Sequence, residues 1–488
     1  MLAHVAEFYH PDTGFSALIL FGDAFESSRL GRLREVPIYT VAGDGFDGQF
    51  YAQIAVAGNP FDPELGTAIE WPAYRTARVL VPVLAHLAGL GRPAWVVNAY
   101  ALINVFAWLV LAVLLARWWF PPRELHDLVR WAGTLFGAGM MVSVSRSLID
   151  GPALVLLACA VRAIERERRL LGAVLLGVAG LARGTSVLAA PALLPAHLPI
   201  TARAWLRMAA LLAICALPVV AWVLILRAHL GYPDDPPNLA LPLSALPGKL
   251  REIRDAWRTG GFARAQHEIW AVFAIATQVG FMLARPRPRQ LWWRIGIAFA
   301  LLAVCLGPTV WEGFPSSPPR VLLPLTLAFN VLVPRTRAGL VLLLAGNLTV
   351  LSATTLFQSP SRAPESTLVA GVSVSHSNGW YDRETDADHR WRWAARSARL
   401  RLRNAGASDR LATLEFEIGS VTERTVVIRA GGVERRVAVS GRQPTQVRLG
   451  PVTLRPGTTL VDFESDAPPW PEPGGRKLSY SVHDLSVR

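Results

Sequence analysis

The sequence is poor in cysteine and in charged residues. Charged side chains make up 17% of its 488 residues, against about 25% in soluble globular domains, while 52% of the residues are hydrophobic and mean hydropathy is +0.33. This composition excludes an ordinary soluble protein and predicts a membrane protein. The cysteines lie inside apolar runs without any CxxC or Cys/His cluster, so there is no basis for a structural zinc site or a disulfide framework.

Lysine is scarce as well, although the net charge is +13. Only Lys249 and Lys477 are lysines, so arginine carries almost all of the positive charge. A strongly basic chain can indicate nucleic-acid binding. Here many arginines stand between apolar segments, where they set membrane topology and contact anionic lipid. We therefore expect membrane lipid as a partner and no nucleic acid.

Long apolar runs between residues 79 and 357 predict a polytopic α-helical membrane domain of about ten transmembrane helices. Several runs are shorter than the roughly 20 residues that cross a bilayer, so the count is uncertain by about two. A short apolar segment ahead of them, residues 78–91, is expected to lie in the membrane interface. The predicted spans are residues 95–116, 128–145, 148–164, 170–182, 186–198, 206–226, 269–284, 295–311, 321–333 and 340–357.

The arginine-rich loops alternate along the chain, for example at residues 162–169 and 285–294. Positively charged loops stay in the cytoplasm, so this pattern places residues 1–78 and the C-terminal region on the opposite, extracytoplasmic side. Residues 1–78 form the first predicted region, a folded external loop without a spanning segment.

Composition changes after residue 357. Residues 358–367 are predicted to form a Pro/Ser-rich linker. In residues 368–488, segments of alternating apolar and polar side chains are separated by the turn-forming residues Gly, Pro and Asn. This pattern predicts an antiparallel β-sandwich outside the membrane. The predicted strands are residues 398–403, 413–418, 425–429, 435–439, 446–449, 459–463 and 478–482.

Four aromatic residues cluster at the start of this sandwich: Trp380, Tyr381, Trp391 and Trp393. Their rings could stack on sugar rings and make a carbohydrate-binding surface. Alternatively, Trp391 and Trp393 fill the core of the sandwich, or the motif docks against the membrane domain, and the sequence favours these two interpretations.

Residues 43–55 carry the most distinctive polar pattern. Asp44 and Asp47 stand among three glycines, which predicts a tight turn, and the apolar spacing that follows predicts a helix beginning near Asp47 or Gly48. Asp47 could cap that helix. It could also act as a general base that takes a proton from an attacking hydroxyl.

The segment Asp47–Tyr51 ahead of a series of apolar helices resembles the first external loop of GT-C glycosyltransferases, which take sugars from polyprenyl-phosphate carriers. Over residues 8–355 the pattern resembles bacterial cell-surface glycopolymer formation proteins. The matching segments are residues 8–11, 14–15, 21–22, 74–75 and 78–80. The resemblance implies a membrane helix before the first external loop. We therefore expect one upstream of Met1; the alternative is a chain inserted with an unassisted external N-terminus.

The resemblance implies a multi-pass protein of the bacterial inner membrane with its active site outside. It implies transfer of a sugar, with inversion, from a polyprenyl-phosphate donor to a glycan or glycolipid acceptor. Asp47 matches the catalytic base best, ahead of Asp44, and Asp150 matches an acidic residue of the second external loop. Asp150 could also help to hold Mg²⁺ or Mn²⁺. The candidate substrate-binding residues are Gln49, Tyr51, Arg75, Arg146, Arg183, Glu312 and Arg320, of which Arg320 is the foremost candidate for the lipid phosphate.

Two other functions remain open at this point. A transporter of lipid-linked sugar or polysaccharide would carry ionisable residues within its helices and broken segments in symmetric halves, whereas the polar residues here gather in the loops. A non-catalytic component of surface polysaccharide assembly would use the sandwich as its working part.

Overall fold

The computed structural model describes the chain except for residues 10–12, 26–27, 35, 37, 42–43, 196–200, 232–237, 312–316, 358–365, 370–371, 377–378, 386–389, 405, 442, 473–475 and 488. The chain forms two compact units. One contains residues 1–5 and 47–358, and the other contains residues 6–46 and 359–488. The chain is thus mostly helical with a C-terminal β-sandwich region, and residues 47–78 belong with the helices.

The unit of residues 47–358 is built from helices. Apolar side chains recur all round two of its long helices, Pro93–Trp118 and Ala202–Leu230, as expected for segments that contact lipid or other helices on every side. Its α-helices, after Leu2–Ala6, are Gly48–Ala57, Leu65–Ala68, Pro72–Thr76, Leu80–Ala88, Pro93–Trp118, Leu125–Phe136, Ala138–Ser145, Asp150–Glu165, Arg169–Ala182, Ala202–Leu230, Leu246–Ala284, Leu291–Val304, Pro308–Trp311, Ser317–Val321, Leu323–Leu332, Arg337–Gly346 and Ala353–Leu356. Two 3₁₀ helices, Gly184–Leu193 and Leu348–Ser352, complete the unit.

Within the described residues, three of these helices are long and apolar enough to cross a membrane. They are Pro93–Trp118, Ala202–Leu230 and Leu246–Ala284, and a bent pair over residues 337–356 makes up to four. The helices support membrane association, but the predicted count of about ten spans is wrong. The other apolar runs form helices shorter than the roughly 20 residues of a full span.

The predicted spans fail at identifiable breaks. Residues 128–145 divide at Gly137, whose extended backbone (ψ 150°) separates two helices. Residues 186–198 include a 3₁₀ helix that contains Pro191, which cannot donate a backbone hydrogen bond. Outside the predicted spans, the Leu246–Ala284 helix also divides, at Gly261, where φ is +64°. A glycine adopts that left-handed backbone without a steric cost.

The second unit is a sandwich of two antiparallel sheets. The six-stranded sheet has the spatial order Val433–Val439, Arg424–Ala430, Gly457–Ser465, Ser397–Asn404, Val372–His376 and Ser366–Val369. The five-stranded sheet has the order Thr445–Leu454, Arg410–Ser420, Tyr480–Val487, Arg390–Ala394 and Trp380–Thr385. A short pair, Trp470–Pro471 with Lys477–Leu478, lies outside both sheets.

The core of the sandwich follows from the two-residue period of its strands. In Ser397–Asn404 every second side chain, from Ala398 to Asn404, is buried. The alternate side chains face outward, as a half-buried strand requires. A continuous cluster including Leu400, Ile418 and Phe463 fills the space between the sheets. The predicted β-sandwich is therefore confirmed.

Residues 6–46 add short elements to this unit. They are the 3₁₀ helices Ser16–Leu18 and Asp23–Phe25, the helix Gly31–Arg34, and the parallel strands Phe21–Gly22 and Thr40–Val41. The apolar segment of residues 14–22 contains the first of these 3₁₀ helices and the first of these strands.

Candidate functional site

The glycine turn and the helix after it form as predicted. Gly45 has φ +66°, and the N–H of Phe46 donates to the carbonyl of Leu20. The helix Gly48–Ala57 then begins directly after Asp47. The Asp47 side chain makes no capping bond to this helix. Its carboxylate is therefore available for other contacts, which argues against the capping interpretation.

Arg75 binds the Asp47 carboxylate. Its Nη1 lies 2.9 Å from Asp47 Oδ1, and its Nη2 lies 3.8 Å from Glu70. Arg75 comes from the short helix Pro72–Thr76 and is buried, with its guanidinium 4.8 Å from the centroid of the Phe50 ring. The Asp47 side chain remains 36% exposed, so a substrate hydroxyl could reach it.

Arg320 joins Asp47 to a second carboxylate, Asp150. Its Nη2 is 3.7 Å from Asp47 Oδ2, and its Nε is 3.6 Å from Asp150 Oδ2. The guanidinium of Arg183 forms an ion pair with the other oxygen of Asp150. Five charged side chains thus form an unbroken chain of alternating sign, Arg75–Asp47–Arg320–Asp150–Arg183. We call these five residues the charge cluster.

Close backbone packing holds Arg320 in place. It lies in the short helix Ser317–Val321, which packs against the helix Ala138–Ser145. A Cβ atom on Gly139 would lie 2.6 Å from the backbone of Pro319 and Arg320. Only glycine permits this approach, so Gly139 fixes the distance between the two helices at the site.

Asp150 is the first residue of the helix Asp150–Glu165 and is buried. Buried Asn104, on the helix Pro93–Trp118, holds the turn that precedes it. The Asn104 amide donates to the carbonyl of Leu148 at 2.6 Å and to the carbonyl of Ser143. The Ser143 hydroxyl lies 3.4 Å from Asp150 Oδ2. These contacts fix the carboxylate before any ligand arrives.

The neighbouring arginines control the protonation of Asp47. Burial raises the pKa of its carboxyl, but the charges of Arg75, Arg320 and Arg78 outweigh burial and hold that pKa below its usual range. Asp47 is therefore ionised at neutral pH and can accept a proton. Burial, with the charges of Arg320 and Arg78, lowers the pKa of the Arg183 guanidinium. Positive charge is crowded here.

Three further residues extend the cluster. The Arg78 guanidinium lies 3.8 Å from the centroid of the Tyr74 ring, and its Nη1 donates to the Tyr74 carbonyl at 2.7 Å. The Tyr74 hydroxyl accepts a bond from Asn238 Nδ2 at 3.2 Å. Burial raises the pKa of this phenol, but the charges of Arg78, Arg183 and Arg75 outweigh burial and lower it.

A small cavity opens beside the cluster. Asp150, Arg183 and Arg320 line its charged side, and Thr185 and Ser186 add hydroxyl groups. Apolar side chains, among them Leu154 and Leu323, line the rest. One wall thus suits an anion and the other suits hydrocarbon.

The structure gathers most of the predicted site residues. Asp47, Asp150, Arg75, Arg183 and Arg320 form the charge cluster, and the Arg75 guanidinium also lies 5.7 Å from the centroid of the Tyr51 ring.

Other predicted residues lie elsewhere. Gln49 is buried in its helix. Asp44 is exposed and belongs to the unit of residues 6–46. Arg146 donates to the carbonyl of Ser145, and burial lowers its pKa to about 10. Glu312 lies outside the described residues.

Sequence reasoning missed Arg78 and Tyr74 as members of the site. Both stand in the matched segments 74–75 and 78–80, so the signal was present. The four-residue spacing between them places both side chains on one face of a helical turn. Asn238 carried no local signal, because its partner Tyr74 is 164 residues away.

The four aromatic residues of the sandwich divide into two groups. The Trp380 ring packs against Phe463 and Tyr480 of the core, and its Nε1 donates to the carbonyl of Arg399. Trp380 is therefore packed against the core, and its part in a carbohydrate-binding surface stays a prediction. Tyr381, Trp391 and Trp393 are half-buried and are not part of the core cluster. The expectation that Trp391 and Trp393 fill the core is therefore wrong.

Among the described residues, no group of three or more His, Cys, Asp or Glu side chains could hold a metal ion. Comparisons with protein-family models and with curated proteins found no match to this chain.

Proposed function

We propose that the chain is a membrane glycosyltransferase that transfers a sugar from a polyprenyl-phosphate donor to a glycan or glycolipid acceptor. Reaction occurs on the extracytoplasmic side of the membrane. The single observation that carries this proposal is the charge cluster, in which a partly exposed, ionised Asp47 stands beside several arginines.

The first argument is the charge balance of the cluster. Arg75, Arg183 and Arg320 share the carboxylates of Asp47 and Asp150. Arg78 adds a further positive charge close by, since it lowers the pKa of Asp47. Glu70, 3.8 Å from Arg75, supplies a third carboxylate, so among the described residues four arginines face three carboxylates and one positive charge remains for a ligand anion. Guanidinium groups bind phosphate oxygens through paired hydrogen bonds, so a phosphate ester fits this surplus.

The second argument is that one wall of the cavity is charged and the other is apolar. The cavity holds about 10 Å³, room for about one water molecule, so the donor requires its walls to separate; the charged wall then faces the phosphate and the apolar wall faces the first carbons of a polyprenyl chain. A donor that carries an anion next to hydrocarbon requires both. Long apolar helices in the same unit support a lipid-linked substrate.

The reaction then follows from the positions of the two groups. Asp47 takes the proton of the acceptor hydroxyl as the hydroxyl oxygen attacks the anomeric carbon. The bond from that carbon to the phosphate oxygen breaks, and its electron pair leaves with the phosphate. Arg320 and Arg183 stabilise the departing charge. Attack opposite the leaving group inverts the anomeric centre.

The test is sugar transfer in membranes that contain the protein and a labelled pool of polyprenyl-phosphate sugars. Asp47→Asn keeps the shape of the side chain and removes the base, so transfer should fall by roughly 10² to 10⁴-fold. Asp44→Asn is the matched control, because it makes the same chemical change three residues away. It should leave transfer unchanged.

Each result has a defined meaning. Equal transfer by the wild type and Asp47→Asn would exclude Asp47 as the base. If the wild-type protein transferred no sugar from any donor in the pool, the glycosyltransferase proposal would fail, and a non-catalytic role in surface polysaccharide assembly would replace it.

A further inference from the structure

A row of polar and aromatic side chains crosses the outer face of the five-stranded sheet. Strand register pairs Gln446 with Glu417, Glu417 with His483, His483 with Trp391, and Trp391 with Glu384. Residues paired across neighbouring strands point to the same face of a sheet. Strands are about 4.8 Å apart, so the row spans roughly 19 Å.

Trp391 is held rigidly within this row. Its ring stacks on His483 with centroids 5.5 Å apart and an interplanar angle of 21°. Its Nε1 donates to Glu384 Oε2 at 3.1 Å. His483 is fixed in turn, since its Nε2 lies 2.9 Å from the Ser481 hydroxyl. An indole oriented by two contacts loses little freedom when a ligand binds.

A groove of about 460 Å³ continues the row. Glu417 and Gln446 belong to both features. Arg448 lies 3.5 Å from Glu415 in the groove wall, and Arg435 donates to the Arg448 carbonyl. Carboxylate, amide and guanidinium groups therefore line a concave surface of the size that small ligands occupy.

We propose that this outer face binds a glycan chain. A sugar ring presents an apolar C–H face and an edge of hydroxyl groups. The half-buried indole of Trp391 offers an apolar surface to the C–H face. The carboxylates, amide and guanidinium groups of the groove offer hydrogen-bond acceptors and donors to the hydroxyl groups.

Other occupants fit this face less well. The sandwich core does not need Trp391. Val447, Phe416 and Val482 build that core on the opposite face of the sheet. Along the row and groove, acidic side chains are at least as numerous as basic ones. The acidic residues are Glu384, Glu415, Glu417 and Asp484. A nucleic-acid backbone requires an excess of positive charge instead. A neutral polyhydroxyl chain has no such requirement.

This site does not involve Asp47, so it goes beyond the proposed function. The test is affinity electrophoresis of the full chain in detergent. The gel contains surface polysaccharide extracted from the cells that make the protein, and no sugar donor is added. We expect the polysaccharide to retard the wild-type protein and Asp47→Asn equally. Transfer and glycan binding can therefore fail independently.

Trp391→Ala and Glu417→Gln test the two halves of the site. We expect the first to weaken retardation roughly fivefold, as loss of one aromatic contact predicts. Glu417→Gln should weaken retardation while leaving the sheet intact, because the residue is only partly buried. Trp470→Ala is the matched control, since Trp470 is an exposed tryptophan outside the row and should leave binding unchanged.

The thermal midpoint of each variant shows whether it folds. Absence of retardation for the wild type would overturn the proposal. Equal retardation of the wild type, Trp391→Ala and Glu417→Gln would also overturn it, since polysaccharide would then bind elsewhere.

Discussion

Arginine–carboxylate pairs occur in both units of the chain, but in different surroundings. In the sandwich, Arg399 lies 2.6 Å from Asp462, and both side chains are more than 40% exposed. In the helical unit, Asp150 is 1% exposed where it meets Arg183. Exposed pairs contribute about 0–1 kcal/mol to stability. Breaking a buried pair costs about 3–5 kcal/mol, because one charge stays buried without its partner.

The ratio of the two charge types also differs. On the sandwich, Arg429 contacts both Glu434 and Glu464, and Arg476 contacts both Glu472 and Glu384. At these two exposed places each arginine contacts two carboxylates. In the charge cluster, three arginines share the carboxylates of Asp47 and Asp150, and Glu70 beside Arg75 is the third carboxylate among the described residues. With Arg78 close by, arginine is in surplus; a buried surplus of one charge is expensive and marks a candidate functional site.

The largest effect should come from Asp150→Asn. Asparagine keeps the size of the side chain but leaves Arg183 buried without a negative partner. We expect the free energy of unfolding, measured in detergent, to fall by about 3–5 kcal/mol.

Asp150→Asn combined with Arg183→Met provides the control for this change. Removing both charges together should restore much of the lost stability, because no unpaired charge stays buried. Equal stability of Asp150→Asn and the wild type would show that the ion pair is not stabilising, and the comparison between the two units would lose its basis.

A smaller loss is expected from Gly139→Ala. The new methyl group would lie 2.6 Å from the backbone at Pro319 and Arg320, so the helices must separate. Overpacking of this kind costs about 1–3 kcal/mol. Gly66→Ala is the control, since a Cβ added there would meet no neighbouring atom within 4 Å and alanine favours helix by up to about 1 kcal/mol. If both variants were equally stable, Gly139 would not position Arg320.

The sandwich was predictable from sequence because its signal is local. Alternation of apolar and polar side chains marks the strands Ser397–Asn404 and Arg410–Ser420 within single segments. Strand Ser366–Val369, by contrast, begins inside the predicted linker. Strand Arg390–Ala394 also alternates, yet its arginines and tryptophans suggested a cluster of binding residues.

The helical unit was less predictable, because its breaks depend on packing. Hydropathy continues through Gly137, where a predicted span divides into two helices. Asp47 came from resemblance to a family, and Arg320 from the suitability of arginine for phosphate. The direct contact between their side chains could not be predicted, because residues 273 positions apart meet only through tertiary packing.

Acidification should produce a smaller and graded effect. The pKa of Asp47 is lower in the folded chain than its usual value near 3.9, so its charge stabilises the fold above about pH 4. That stabilisation is lost as pH falls through the lower, folded pKa. We expect the thermal midpoint of Asp47→Asn to fall less between pH 5 and pH 3 than that of the wild type.

Arg75→Gln should also reduce the fall in thermal midpoint between pH 5 and pH 3, because Arg75 is a main cause of the lowered pKa of Asp47. Identical acid profiles for all three proteins would mean that the arginines do not hold Asp47 ionised.

The smallest effect is expected from Asp462→Asn on the sandwich. Its partner Arg399 lies on a neighbouring strand, and water surrounds both side chains. The free energy of unfolding should fall by less than about 1 kcal/mol, and the difference should shrink further at about 1 M salt, where the Debye length is about 3 Å. Salt should not rescue Asp150→Asn, since counterions do not reach a buried charge. A loss of several kcal/mol for Asp462→Asn would therefore mean that burial does not distinguish the ion pairs of the sandwich from those of the helical unit. The unequal ratio of arginine to carboxylate would then have to explain the difference between the two units alone.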